Sequence, residues 1–103
     1  MSIVLKALAD PTRRRILELL RVRPMTAGEI ARHFTVAKPT LSGHFAVLRE
    51  ADLVEADKQG TSITYRLKLS VLEEAIAELA DLFKVGQPRQ AIRRKRWASA
   101  RSQ

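Results

Sequence analysis

The sequence predicts a mainly α-helical domain with one small β-hairpin. Three observations carry that prediction. Apolar residues recur at helical spacing over most of residues 3–85. Strict alternation of apolar and polar residues is confined to Ile63, Tyr65 and Leu67 and their neighbours. Helix-start signals occur at Asp10-Pro11, at Thr26…Glu29 and at Ser70…Glu73.

A short first helix covers Ile3–Leu8, with Val4, Leu5 and Leu8 on one side. Asp10 is a good N-cap for the second helix, because its carboxylate accepts early backbone N–H groups. Pro11 suits the first helical position, where an N–H is not needed. Ile16, Leu19 and Leu20 face the core, while Arg13-Arg14-Arg15 fan out in three directions. Arg23-Pro24-Met25 ends this segment. Thr26-Ala27-Gly28-Glu29 is a capping box for a third helix carrying Ile30, Ala31 and Phe34. A break of about three residues, Thr35-Val36-Ala37, precedes a fourth helix running from Lys38-Pro39 to about Ala51. A short helix, a tight turn and a longer helix are the parts of a helix-turn-helix.

Leu53–Asp57 and Ser62–Leu67 read as two strands joined by Lys58-Gln59-Gly60-Thr61, with Gly60 supplying positive φ. This hairpin is the expected wing, so the full expectation is a dimeric winged helix-turn-helix. Ser70…Glu73 is a second capping box, and its helix is expected to reach Val85 and stop at Gly86. Leu72, Ile76, Leu79 and Phe83 form one stripe, which Val71, Ala75 and Leu82 widen beyond a single face. The surplus predicts a homodimer interface of Val4, Leu5 and Leu8 with Val71, Leu72, Ala75, Leu79, Leu82 and Phe83.

The chain has 103 residues and a net charge of +8. That length fits one domain whose core gains from being shared. The expected division is a domain over 1–86 and a basic tail over 87–103. Residues 1–49 hold nine Lys/Arg against three acids, residues 50–84 four against eight, and residues 85–103 six against none. Positive charge segregated at both ends attracts a polyanion. The absence of cysteine removes disulfides, thiolate metal sites and cysteine nucleophiles together. Two isolated histidines make a poor metal site. His33 sits near the end of the third helix, and His44 is expected to be a hydrogen-bonded packing residue. No phosphate loop or nucleophile–base pair is present, and Ser42 and His44, two apart on a helix, point different ways. An enzyme is not expected, nor a cofactor or bound metal. No secretory signal opens the chain and no apolar run approaches ~20 residues, so a soluble cytoplasmic protein is expected.

A helix advances about 100° per residue. Leu41, Phe45, Leu48 and His44 therefore share the buried side of the fourth helix, and Pro39, Ser42, Gly43 and Ala46 lie opposite. Lys38, Arg49 and Thr40 flank that small, nearly uncharged face. Small side chains let a backbone enter a major groove, Ser42 can meet a base edge, and Ala46 or Pro39 can touch a thymine methyl. The expected contacts with double-stranded DNA are Lys38, Pro39, Thr40, Ser42, Gly43, Ala46 and Arg49. Lys58 and Gln59 of the wing and Arg14 of the second helix are added to them.

Asp10-Pro11-Thr12-Arg13-Arg14-Arg15-Ile16-Leu17, Met25–Ala31, Lys38-Pro39-Thr40-Leu41-Ser42 and Val47–Val54 occur in that order. Together they resemble the ArsR-type winged helix repressors, nearest their metal-independent SdpR-like branch, over roughly residues 3–84. The resemblance implies a dimer built from the first and last helices, the fourth helix in the major groove and the hairpin near the minor groove. It also implies a transcriptional repressor acting on a palindromic operator. Where metal-sensing members carry cysteines in the third helix or acidic and histidine ligands in the last, this chain has no cysteine and no histidine. Ala37 replaces a usual capping serine, Gly43 a frequent histidine and Asp52 a frequent glycine. The alternative is a winged helix that binds protein or RNA without sequence-specific DNA contacts. The tail Arg89–Trp97 lies beyond the resemblance and is either solvated or an arm on phosphates. An effector ligand or anti-repressor partner is not legible in the sequence.

Overall fold

The computed structural model describes residues 2–84; the tail and the expected stop at Gly86 lie outside them. Helix α1 spans Ser2–Leu8 and α2 spans Pro11–Val22. The carboxylate of Asp10 caps α2 as expected, accepting the Thr12 and Arg13 amides at 2.8 and 3.1 Å. Ile16, Leu17 and Leu20 are the buried side of α2.

Helix α3, Ala27–Ala31, begins with the reciprocal capping box: Glu29 N–H donates to Thr26 Oγ1 at 3.1 Å, and Thr26 N–H to Glu29 Oε1 at 2.8 Å. It ends earlier than its apolar pattern implies. His33 and Phe34 donate to Ile30 and Ala31 through tighter i→i−3 bonds. Phe34 still packs against the core, so a helical apolar spacing persists where the helix does not. The connection to α4 is accordingly residues 32–37 rather than three residues.

Helix α4 spans Lys38–Glu50. Its end is a Schellman motif: the Asp52 amide donates to Arg49 O and the Leu53 amide to Leu48 O. Asp52 takes the left-handed conformation there, with φ 62°. Leu48 and Leu53, the two apolar partners of the motif, are both fully buried.

Three strands form one antiparallel sheet in the order β1-β3-β2. Strand β2 is Val54–Gln59 and β3 is Ser62–Leu67. The pairing runs from Val54↔Leu67 to Gln59↔Ser62, so only Gly60 and Thr61 form the turn. Lys58 and Gln59, expected in the loop, are strand residues. Gly60, at φ 62°, takes the first loop position, where a two-residue II′ turn needs glycine. Strand β1, Met25–Thr26, has no signature in the sequence. It pairs Met25 with Tyr65 and Thr26 with Thr64. The extended φ and ψ that make Thr26 an N-cap also let it join a sheet.

Helix α5 spans Leu69–Leu82, and here the expected Ser70 cap is wrong. Lys68 occupies the cap position without a side-chain cap bond, and Ser70 lies inside the helix. Lys68 is fixed first: its amide donates to Leu53 O and its Nζ to Asp52 Oδ1, each at 2.9 Å. The Asp52 bond also raises the Lys68 pKa. Lys68 O then receives the Val71 and Leu72 amides, which starts the helix one residue before Ser70. At the other end α5 closes on Phe83, with Lys84 at φ 58°, short of the expected Val85.

The core gathers Ala7, Ile16, Leu17, Leu20, Met25, Ile30, Leu41, Phe45, Leu48, Ala51, Leu53, Val54 and Tyr65. The rings of Phe45 and Tyr65 stack at 4.3 Å, joining α4 to the central strand. Helix α5 contributes no buried residue.

Candidate nucleic-acid interface

The core decides which side of α4 faces outward. Leu41, Phe45 and Leu48 are buried, and burying them turns Pro39, Ser42, Gly43 and Ala46 to solvent. Lys38, Thr40 and Arg49 are exposed on the same helix. Seven of the sequence-predicted contacts are thus brought onto one outward surface. Small groups occupy its centre, Lys38 and Arg49 one edge and the Thr40 hydroxyl the other, an arrangement suited to a helix entering a groove. Ala37 caps α4 with no side-chain hydrogen bond, as its methyl dictates. A shallow cleft of about 170 Å³ runs beside Lys38 and Ser42, floored by Ala27, Ala31, Leu41 and Phe45.

Arg49 also acts on the sheet. Burial raises the Tyr65 phenol pKa, and the nearby Arg49 charge opposes that rise. Lys58 and Gln59 are exposed on the outer part of the hairpin.

The arginine triplet behaves differently from the α4 face. Arg14 is exposed, yet its guanidinium donates to Leu8 O at 2.9 Å, at the end of α1. Arg15 pairs with Glu18 at 3.0 Å. Arg13 donates through Nε to Ala7 O at 2.8 Å and through Nη2 to Lys6 O at 2.9 Å. These carbonyls close a helix and need donors. Arg13 Nη1 also lies 3.1 Å from Nδ1 of His44 on α4. Sequence spacing gives no sign of this contact, because the two residues are 31 apart in the chain.

Asp10 completes the corner, with Oδ2 3.9 Å from His44 Nδ1. Desolvation pushes the Asp10 pKa up, but the Arg13 and Thr12 amides, the charge that His44 carries when protonated and the charge of Arg13 outweigh it, and the net direction is down. Glu29 of the capping box is lowered first by the Thr26 amide and then by Arg23.

On the predicted dimer face the structure separates two groups. Val4, Leu8, Val71 and Leu72 are partly buried against the chain's own core. Leu5, Ala75 and Leu79 are half-buried, whereas Leu82 and Phe83 are 62% and 67% exposed. Ile76, on the same stripe, is 54% exposed. Among the described residues no group of three or more His, Cys, Asp or Glu side chains could hold a metal ion.

Residues 10–56, from the α2 cap into β2, match the family model described as bacterial regulatory protein, arsR family. The chain is 45% identical over 76 residues to the transcriptional repressor SdpR of Bacillus subtilis (strain 168), covering 74% of this chain and 84% of that protein. It is 35% identical over 79 residues to the arsenical resistance operon repressor of Staphylococcus aureus, covering 77% and 76%. The crystal structure of a possible transcriptional regulator for arsenical resistance superposes with a TM-score of 0.71 at 35% identity, covering 85% of this chain and 91% of that one. The winged helix-turn-helix, its outward α4 face and these similarities agree: the chain belongs to the ArsR family of bacterial transcriptional regulators, DNA-binding proteins and not enzymes.

Proposed function

We propose that this chain is a sequence-specific transcriptional repressor that binds a palindromic operator as a homodimer and needs no bound metal ion. The observation that carries the reading is the outward face of α4, with Ser42, Gly43 and Ala46 exposed between Lys38 and Arg49. Lys38 and Arg49, near opposite ends of one edge, hold phosphates, and the small central groups meet base edges. The exposed apolar side of α5 supports the second subunit. Two copies related by a two-fold axis then place two α4 helices in successive major grooves. The lack of cysteine leaves no thiolate for a metal-sensing site. No described helix is long and apolar enough to cross a membrane, which is compatible with action in the cytoplasm.

The test is competition. A palindromic duplex selected by the chain from a random-sequence pool is set against a scrambled duplex and an RNA of equal length. The palindrome is expected to win. Ser42→Ala is expected to lower its affinity roughly tenfold while leaving scrambled binding near the wild-type value. Equal affinity for all three nucleic acids contradicts the proposal, and so does an equal Ser42→Ala loss on both duplexes.

A further inference from the structure

We infer that Arg13 is a positioning residue that locks the recognition helix α4 to the end of α1, and that a proton on His44 opens the lock. The inference rests on the DNA-binding reading for its consequence but not for its geometry. One guanidinium reaches two elements at once: Lys6 O and Ala7 O of α1 at 2.9 and 2.8 Å, and His44 Nδ1 of α4 at 3.1 Å. Arg13 itself is anchored on α2, and its own amide is tied to the Asp10 cap. Three helices therefore meet at one side chain.

The chemistry of the partners fixes the protonation state. Arginine only donates, so Nδ1 of His44 must be the acceptor, and the ring hydrogen sits on Nε2. This contact exists only for neutral imidazole. A second proton must go onto Nδ1, facing the guanidinium. It breaks the bond and sets two cations against each other. The charged groups facing the ring are Arg13 from α2 and Asp10 from the α1–α2 corner; α1 contributes the Lys6 and Ala7 carbonyls to the same guanidinium. A protonated ring is drawn toward Asp10 Oδ2, 3.9 Å away, which already holds the Thr12 and Arg13 amides. His44 is only 15% exposed in its side chain, so it has little room to turn to water instead.

The consequence falls on α4. His44 is the immediate neighbour of Gly43 and two residues from Ser42 and Ala46. A shift of its backbone moves the groove-facing side chains relative to α1. In a dimer that α1 helps to build, it also moves them relative to the second recognition helix. Non-specific phosphate attraction tolerates such a shift, whereas base contacts do not. Protonation is therefore expected to lower operator binding more than scrambled-duplex binding.

The experiment compares wild type, His44→Asn and Arg13→Lys as full chains on the selected and scrambled duplexes, at roughly pH 8 and roughly pH 5.5. Asparagine keeps an acceptor near the Nδ1 position and does not titrate. Wild type is expected to lose selectivity for the selected duplex by roughly tenfold on acidification. His44→Asn is expected to hold the same selectivity at both pH values. Arg13→Lys, which cannot reach all three acceptors, is expected to have low selectivity at both. A wild-type pH profile retained by His44→Asn overturns the inference, as does wild-type selectivity in Arg13→Lys.

A second readout needs no DNA. In an NMR titration, the amides of Ala7 and Leu8 are expected to shift with the same midpoint as the His44 ring in wild type. They are expected to stay flat in His44→Asn. Flat α1 amides in the wild type overturn the lock even if DNA binding is specific. Co-titrating amides in a chain that selects no duplex uphold the lock and sink the DNA-binding reading instead.

Discussion

Gly43 stands inside α4 with open space where a Cβ would project. A glycine inside a helix costs about 1 kcal/mol relative to alanine. Gly43→Ala is therefore expected to raise stability by about that amount in urea unfolding. If this surface lies against a base pair, the same methyl group weakens operator binding. Opposite signs for stability and affinity are the expected outcome; a variant improved in stability and unchanged in affinity places Gly43 away from DNA. Asp10 gives a prediction with a pH signature. Its folded pKa is lowered, so its contribution is present above the ordinary carboxylate range and lost as pH falls through the folded value. Asp10→Ala is expected to cost about 1 kcal/mol at neutral pH. Asp10→Asn keeps the cap, costs less, and flattens the acid limb of the stability curve. Urea midpoints at neutral and acid pH check both variants. At this scale the sequence showed the caps that lie within three residues of their partners, Asp10 and Thr26–Glu29. It did not show that Arg13 and His44 meet, because that contact depends on how α2 and α4 cross.

The elements were legible where a local signal matched a local cause. Burying Leu41, Phe45 and Leu48 determines the outward face of α4, so helical spacing alone identified it. Strand β1 escaped because two residues carry no period, and its partner Tyr65 lies far along the chain. For a related reason, Ser70 does not cap α5. Asp52 and Leu53 anchor Lys68 from the far side of the hairpin, and this tertiary bond outcompetes the local serine. Helix α5 shows what a stripe can and cannot say. Val71 and Leu72 pack against the chain's own core, while other apolar residues of the helix stay exposed. The outer stripe of Ile76, Leu82 and Phe83 is what a second subunit would have left to cover. Ile76→Glu tests this. An exposed residue in an isolated chain tolerates such a change within about 0.5 kcal/mol. If Ile76 is central to a dimer, the substitution weakens association by roughly 30-fold or more. Sedimentation equilibrium reads the difference, and an unchanged association constant removes α5 from the interface.

For the whole molecule, the charge pattern and the fold point the same way. The basic first half carries the helix-turn-helix, while the acidic excess of residues 50–84 spans the hairpin and α5. Positive charge thus gathers on the segment that offers α4, whereas α5 carries four acids and no base. The tail, with six basic residues and no acid over 85–103, adds to the net charge beyond the described residues. Hydroxyl-radical footprinting of the full chain on its selected duplex tests the central claim most directly. Two symmetric protected half-sites are expected, centred about one helical turn, ~34 Å, or a whole multiple of it apart on one face of the DNA. A single unsymmetrical patch, or protection spread evenly along the duplex, contradicts a pair of recognition helices seated in the major groove.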